Sequence, residues 1–199
     1  MSFTEEFLEA CTQAIAGLDQ SSIDAVADVL AATKAGSGRL FLCGSGGGAG
    51  HASHAACDFR KLAGIECYSV SDNVSELTAR VNDDGWDTAY SKWLEVSSIR
   101  TGDCLFVFSV GGGDAERNVS ANLVNAMHLA RDRGATIVGV VGRDGGELAR
   151  CADACVLVPT IVDAWTTPIT EGFQALVWHL LVTHPALDPN TPKWESMDQ

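Results

Sequence analysis

At 199 residues the chain is long enough for one domain with a sizeable core and too short for two comfortable ones. Hydrophobic residues at 46% and charged residues at 20% are the proportions of a globular protein, which excludes a disordered or fibrous chain. A formal net charge of −13 excludes a nucleic-acid binder, which needs a basic stripe to displace counterions, and leaves any anionic ligand to be held by local features: backbone N–H groups, helix N-termini and a few arginines.

Residues 1–36 read as a pair of helices. Phe3, Phe7, Leu8, Cys11, Ile15 and Leu18 follow helical spacing, and Ser21 or Ser22 is placed to cap a second helix through Ile23, Val26, Val29 and Leu30 to Gly36. This stretch lacks the basic and apolar regions of a signal peptide, and no apolar run reaches about 18 residues, so the expectation is a soluble cytoplasmic protein with no membrane span. From there, apolar β-type runs alternate with helical patterns. Strands are expected at 39–43, 66–70, 104–109, 136–141 and 154–158. Helices are expected near 51–63, 74–80, 86–99, 116–133, 146–151 and 170–183. Strands that are apolar throughout belong in a parallel sheet covered on both faces, and their alternation with helices predicts a doubly wound α/β domain over residues 1–187. Residues 188–199, with two of the five prolines, read as a C-terminal tail. The seven cysteines are odd in number and form no CxxC pair. Cys43, Cys67, Cys104 and Cys155 sit in apolar runs, as small buried hydrophobes of a reducing compartment.

Glycine clusters follow three of the strands: Gly44-Ser45-Gly46-Gly47-Gly48, Ser109-Val110-Gly111-Gly112-Gly113 and Gly142-Arg143-Asp144-Gly145-Gly146. In an open parallel sheet ligands bind beyond the carboxyl ends of the strands, and a glycine-rich turn leading into a helix offers N–H donors to a phosphate. A single such loop is explained by turn geometry alone; three at one sheet edge point to a bound anion. The first loop does not end in GK[ST], so it is no Walker A loop. It fits the dinucleotide pattern GxGxxG superficially, with Asp72 where a ribose-reading acid would stand, but that pattern gives the other two glycine loops no role.

The chemistry-bearing residues cluster on two helical stretches. His54 and Asp58 are four apart and share a face, a spacing suited to a ligand pair or an acid–base pair and equally to an ordinary surface pair; His51 precedes them. Glu171 and His179 lie in the closing apolar stretch, where a histidine is more often a satisfied core residue than a catalyst. Asn82-Asp83-Asp84-Gly85 reads as a turn that breaks a helical pattern.

Together these stretches resemble the SIS (sugar isomerase) domain family: GSGGGAGHASHAACDF, DNVSELTARVNDDGW, FSVGGG, VVGRDGGELARCADACVLVP and TEGFQALVWHLL, in that order. The resemblance implies a flavodoxin-like doubly wound five-stranded parallel sheet with N-terminal helices. It implies aldose–ketose isomerisation of sedoheptulose 7-phosphate to D-glycero-D-manno-heptose 7-phosphate through a cis-enediol. It also implies a homotetramer with interfacial active sites and one Zn²⁺ per site. By position the family's metal-binding histidine falls on His54, its glutamine ligand on Glu171, its catalytic glutamate on Asp58 and its catalytic histidine on His179; His54, Asp58, Glu171 and His179 are the candidate metal ligands, and Asp58, His179 and Glu171 the candidate catalytic residues. Its first-loop contacts fall on Ser45 and Gly46, its active-site aspartate on Asp83 and its phosphate-loop serine on Ser109, with Gly47, Gly48, Asn82, Gly111, Gly112, Gly113 and Arg117 as further candidate substrate contacts. The chain departs from the pattern at Gly48, at Val110-Gly111-Gly112-Gly113, at Asp58 in place of glutamate and at Glu171 in place of glutamine. Phosphate hydroxyls are thereby lost, and backbone N–H groups, Arg117 with Asn118, or Arg143 are the substitutes at hand. The mechanism implied has Asp58 as base with Glu171 in reserve and His179 as acid. Glu171 and His179, eight apart, stand about 12 Å apart on an ideal helix, so one ion reaches both only with a late helix start or a second subunit. The other readings are an isomerase of a different sugar phosphate and a non-catalytic member that senses sugar phosphates or acts as a regulatory scaffold.

Overall fold

In the computed structural model, which describes residues 1–191, five parallel strands form one sheet in the order β2-β1-β3-β4-β5. They are β1 (Leu40–Gly44), β2 (Cys67–Ser69), β3 (Cys104–Ser109), β4 (Thr136–Val141) and β5 (Ala154–Leu157). The expected doubly wound sheet is present, and every predicted strand lies within a residue or two of an observed one. Successive side chains of a strand point to opposite faces. Leu40, Leu42, Phe106 and Phe108 therefore join one core and Phe41, Cys43, Leu105 and Val107 the other.

The first core is covered by α1 (Phe3–Ala16), α2 (Gln20–Ala35), α3 (Gly47–Lys61) and α8 (Thr166–Val182). The second is covered by α5 (Ala89–Val96), α6 (Ala121–Asp132) and α7 (Gly146–Cys151), with Leu77 and Val81 of α4 (Val74–Asp84) packed against it. At the amino edge of the sheet Asp103, almost fully buried, accepts bonds from the Arg39 and Arg100 backbone N–H groups and from the Arg39 guanidinium, which fixes the start of β1 against β3. The four cysteines expected inside behave as expected where buried: desolvation pushes the thiols of Cys43, Cys67 and Cys104 up, the last to about 12, while Cys155 is half-buried.

Four boundaries differ from expectation. Helix α2 is capped by Asp19, whose carboxylate accepts from the Ser21 N–H and both hydroxyls of Ser21 and Ser22, so the serines support the cap rather than form it. Helix α4 runs through Asn82 and Asp83 to Asp84, and Gly85, at φ 85°, makes the break. Helix α6 begins only at Ala121. Asp114 accepts from the Glu116 and Arg117 N–H groups and pairs with Val119, and Asn118 and Ser120 adopt positive φ, so 114–120 is a compact turn. Helix α8 begins four residues early because Pro168 falls in its first turn, where its missing N–H costs nothing. Of the predicted tail, Asn190 donates its N–H to Leu62; residues 192–199 lie outside the described residues.

Two of the glycine loops seal each other. Gly142 N–H donates to Val110 O, Glu147 N–H to Gly113 O and Leu148 N–H to Gly112 O, at 3.0, 2.9 and 3.0 Å. A Cβ on Gly112 would lie 1.9 Å from Gly145 O, and the residue sits at φ 75°. A Cβ on Gly111 would meet nothing nearer than 3.7 Å. Gly112→Ala is expected to cost about 2 kcal/mol or more, a fall in Tm of roughly 4–8 °C, and Gly111→Ala less than about 1 kcal/mol. Thermal melts of both variants that coincide would contradict this account of the seal.

Candidate active site

Helices α3 and α8 lie side by side, and the groove between them gathers most of the chemistry-bearing residues. On α3, Ala52 and Ala55 are fully buried and Ala56 nearly so. Trp178 fills the space on the α8 side, also fully buried, with its ring 4.8 Å from that of His54. The ring of His179 lies 5.6 Å from that of His54 and perpendicular to it. Ligand atoms of His54, Asp58 and His179 all fall within 4.8 Å of one another, with Asp58 buried and both histidines exposed. Two imidazoles and a carboxylate at that separation suit one tetrahedral divalent ion with an open position. Of the two readings open to His179, core residue or site residue, the structure gives the exposed side of α8, because helical periodicity puts Trp178, Val177 and Leu181 inward and leaves His179 out.

The tautomer of neutral His179 follows from its contacts. Nδ1 lies 2.7 Å from the Ala175 carbonyl, which only accepts. Nδ1 therefore carries the proton, and Nε2 presents a lone pair. That form suits a metal ligand or a base; proton donation from Nε2 requires the imidazolium.

Glu171 is not one of that group. Its carboxylate sits over Gly47 at the first turn of α3, where a Cβ on the glycine would come within 2.5–2.7 Å of it. The expected four-ligand set is thus divided in one chain into three residues together and one further up the groove. Near both stands His51, half-buried, with its pKa held below the ordinary histidine value chiefly by burial; the charge and backbone of Glu171 oppose that shift, and His54 and His179 add to it. His51 carries no functional signal of its own in the sequence, although its i, i+3 spacing to His54 puts both on one face.

The first-loop residues are held from below. Ser45 Oγ accepts from the side-chain amide of Asn122, 3.1 Å away, and the Tyr90 hydroxyl donates to Gly44 O at 2.8 Å. Burial pushes the Tyr90 phenol up to about 12. Gly46 adopts φ 58° and ψ −123°, and a Cβ on Gly48 would strike Phe108 O at 2.7 Å, so both glycines are steric requirements of the turn. Ser109 Oγ accepts from Gly112 N–H at 3.0 Å, and its carbonyl accepts from the amide of Gln174, a fully buried residue of α8. Asn122 and Gln174 are fully buried amides that sequence reasoning missed, since nothing local marks a polar residue as a prop beneath a distant loop. Asn82 and Asp83 are exposed at the end of α4, on the layer opposite α3 and α8, and the single chain does not bring them to the histidines. Gly111, Gly113 and Arg117 line a separate cavity of about 1010 Å³ beyond β3, β4 and β5.

Comparison with known proteins gives a match to the SIS domain family over residues 2–142. The chain is 32% identical over 165 residues to a phosphoheptose isomerase of Rhodospirillum rubrum, covering 80% of this chain and 82% of that one. It is 34% identical over 191 residues to the lincomycin biosynthesis protein LmbN of Streptomyces lincolnensis, covering 91% and 68%. The solved structure of phosphoheptose isomerase GmhA from Neisseria gonorrhoeae superposes with a TM-score of 0.77 at 26% identity over 93% of this chain and 94% of that one.

The lowered pKa of His51 has a measurable consequence. The unfolded chain takes up its proton near the ordinary value of 6.5, while the folded chain resists until lower pH. Between the two the unfolded state holds more protons, so stability falls as pH drops below about 6.5. In metal-free protein the urea midpoint is expected to fall less between pH 7.5 and 5.5 for His51→Asn than for wild type. Equal slopes would remove His51 as a source of this pH dependence.

Proposed function

This chain belongs to the SIS domain family, and from that premise we propose that it is a sugar-phosphate isomerase that interconverts sedoheptulose 7-phosphate and D-glycero-D-manno-heptose 7-phosphate. The observation that carries the reading is the convergence of His54, Asp58 and His179 in the α3–α8 groove beneath the first glycine loop. The similarity to phosphoheptose isomerases over four-fifths of the chain supports it.

The reaction moves one proton from C1 of the ketose to C2 and redistributes protons between the two oxygens of a cis-enediol. Asp58 is assigned the carbon-to-carbon transfer: its carboxylate is buried and adjoins two imidazoles. Glu171, at the α3 N-terminus, is the alternative base. His179 services the oxygens, donating when protonated. His54, Asp58 and His179 would hold a zinc ion, which when bound supplies Lewis acidity at the substrate carbonyl. A carboxylate has two oxygens, so Asp58 can serve an ion with one and a carbon acid with the other.

We also propose a homotetramer in which other copies close the groove. Leu176 and Leu180 flank His179 on the outer side of α8, and Phe3, Leu8 and Ile15 of α1 are roughly half to two-thirds exposed, an apolar surface suited to a second copy. Such contacts would also offer Glu171 of one copy to the histidines of another. Seven free thiols suit the reducing cytoplasm.

Incubation with sedoheptulose 7-phosphate in deuterated water, followed by NMR, tests the assignment. Wild type is expected to give the aldose and deuterium at C1 or C2. His179→Ala, and whichever of Asp58→Asn and Glu171→Gln removes the base, are expected to lose about 10²–10⁴ in kcat. Folded wild type that gives neither product nor exchange, with and without added Zn²⁺, ends the heptose reading. Chelation is expected to strip one zinc per chain and abolish turnover, with recovery on adding Zn²⁺; undiminished turnover of chelated protein that elemental analysis shows to be free of metal would reject the metal role.

A further inference from the structure

The sugar-phosphate reading leaves the phosphate itself to be placed, and the fold restricts where it can go. The N-terminus of α3, the usual kind of place for an anion, already faces the carboxylate of Glu171. The N-terminal N–H groups of α7 are taken by Gly112 O and Gly113 O. The side-chain oxygen of Ser109 is engaged by Gly112 N–H, and Val110, Gly111, Gly112 and Gly113 bring no hydroxyl to the second loop.

In a chain with a net charge of −13 and 13 Lys and Arg residues, three arginines, Arg117, Arg143 and Arg150, line a single cavity together beyond β3, β4 and β5. They are not equivalent. Arg150 is paired with Glu147 at 3.0 Å and Arg117 with Asp114 at 3.6 Å. Among the described residues the Arg143 guanidinium has no such partner. Its stem lies across the mouth of the second loop, with Cδ 3.7 Å and Nε 3.9 Å from where a Gly111 Cβ would stand. Its backbone is held at φ 53°, a conformation that an arginine adopts at a cost, so the turn Gly142–Gly145 spends strain to aim it. Three carboxylates share the lining, but Asp114 accepts from two backbone N–H groups and Asp144 from Gly146 N–H, which leaves Asp163 as the one without a hydrogen bond or ion pair among the described residues. Thr160, Thr166 and Thr167 also line the cavity, the Thr166 hydroxyl donating to the Asp163 carbonyl at 3.0 Å, and Thr167 is one turn from Glu171 on α8.

We propose that Arg143 is the phosphate anchor of this chain, taking by a bidentate guanidinium the dianion that hydroxyls hold elsewhere in the family, with Arg117 reaching in from the far side. The inference rests on the sugar-phosphate reading, and binding separates the two. Titration calorimetry with sedoheptulose 7-phosphate and with inorganic phosphate is run on wild type, Arg143→Asn, Arg143→Lys and Arg131→Gln, with isomerisation followed in parallel. Asparagine tolerates positive φ, so Arg143→Asn removes the fork without straining the turn. Arg131→Gln, an exposed residue of α6, matches the charge change. Arg143→Asn is expected to weaken sugar-phosphate binding about 10- to 100-fold and raise KM alike with kcat little changed, Arg143→Lys to fall between, and Arg131→Gln to bind as wild type. Wild-type binding by Arg143→Asn overturns the assignment whatever the turnover. Equal losses in Arg143→Asn and Arg131→Gln also overturn it, since charge alone would then explain them. A wild type that binds neither ligand overturns both the anchor and the sugar-phosphate reading. Arg143-dependent binding without isomerisation upholds the anchor and rejects the isomerase reading alone.

Discussion

Helix α8 packs against α3 around one large side chain, Trp178. Its ring is fully buried and lies 4.8 Å from that of His54. Truncating a buried tryptophan of this kind costs on the order of 3–5 kcal/mol, so the contact is a principal term in closing that layer. It also determines the site. His54 and Asp58 face His179 because the same approach that buries Trp178 leaves its sequence neighbour at the groove, and Gly47 leaves room for Glu171 because it has no side chain. One packing arrangement thus closes the core and assembles the chemistry.

The carboxyl edge of the sheet works under a different constraint. Its glycine loops approach one another so closely that backbone atoms take the place of side chains, and the carbonyls of Gly112 and Gly113 cap α7. This makes the edge rigid, and it consumes donors that a phosphate would otherwise find. In so acidic a chain a dianion needs concentrated local positive charge, because long-range attraction is absent. The rigid edge and the arginines beyond it are two halves of one arrangement: the backbone holds the shape and the side chains carry the charge.

Much of this was legible beforehand. All five strands and the type of sheet follow from apolar runs and their alternation with helices. The places where local reading slipped share a cause. The start of α6 depends on Asp114 turning back to two N–H groups, and the end of α4 on which residue of Asn82-Asp83-Asp84-Gly85 makes the break. Each is decided by a competition between nearly equal local structures. Asn122 under Ser45 and Gln174 under Ser109 were out of reach for another reason, since each acts on a loop 77 or 65 residues away.

What the sequence by itself determined is what depends on neighbours along the chain: strand and helix identity, the glycine turns, and the pairing of His54 with Asp58 on one helical face. Only the tertiary structure decided what depends on distance in space. It joined His179 to that pair, set Glu171 apart over Gly47, brought His51 near both, and left Arg143 lining a cavity with no ion-pair partner among the described residues. Spacing along a chain fixes direction on one element, whereas proximity between two elements is fixed by the side chains that let them pack, and here those are Trp178 of α8 and the bare Gly47 of α3.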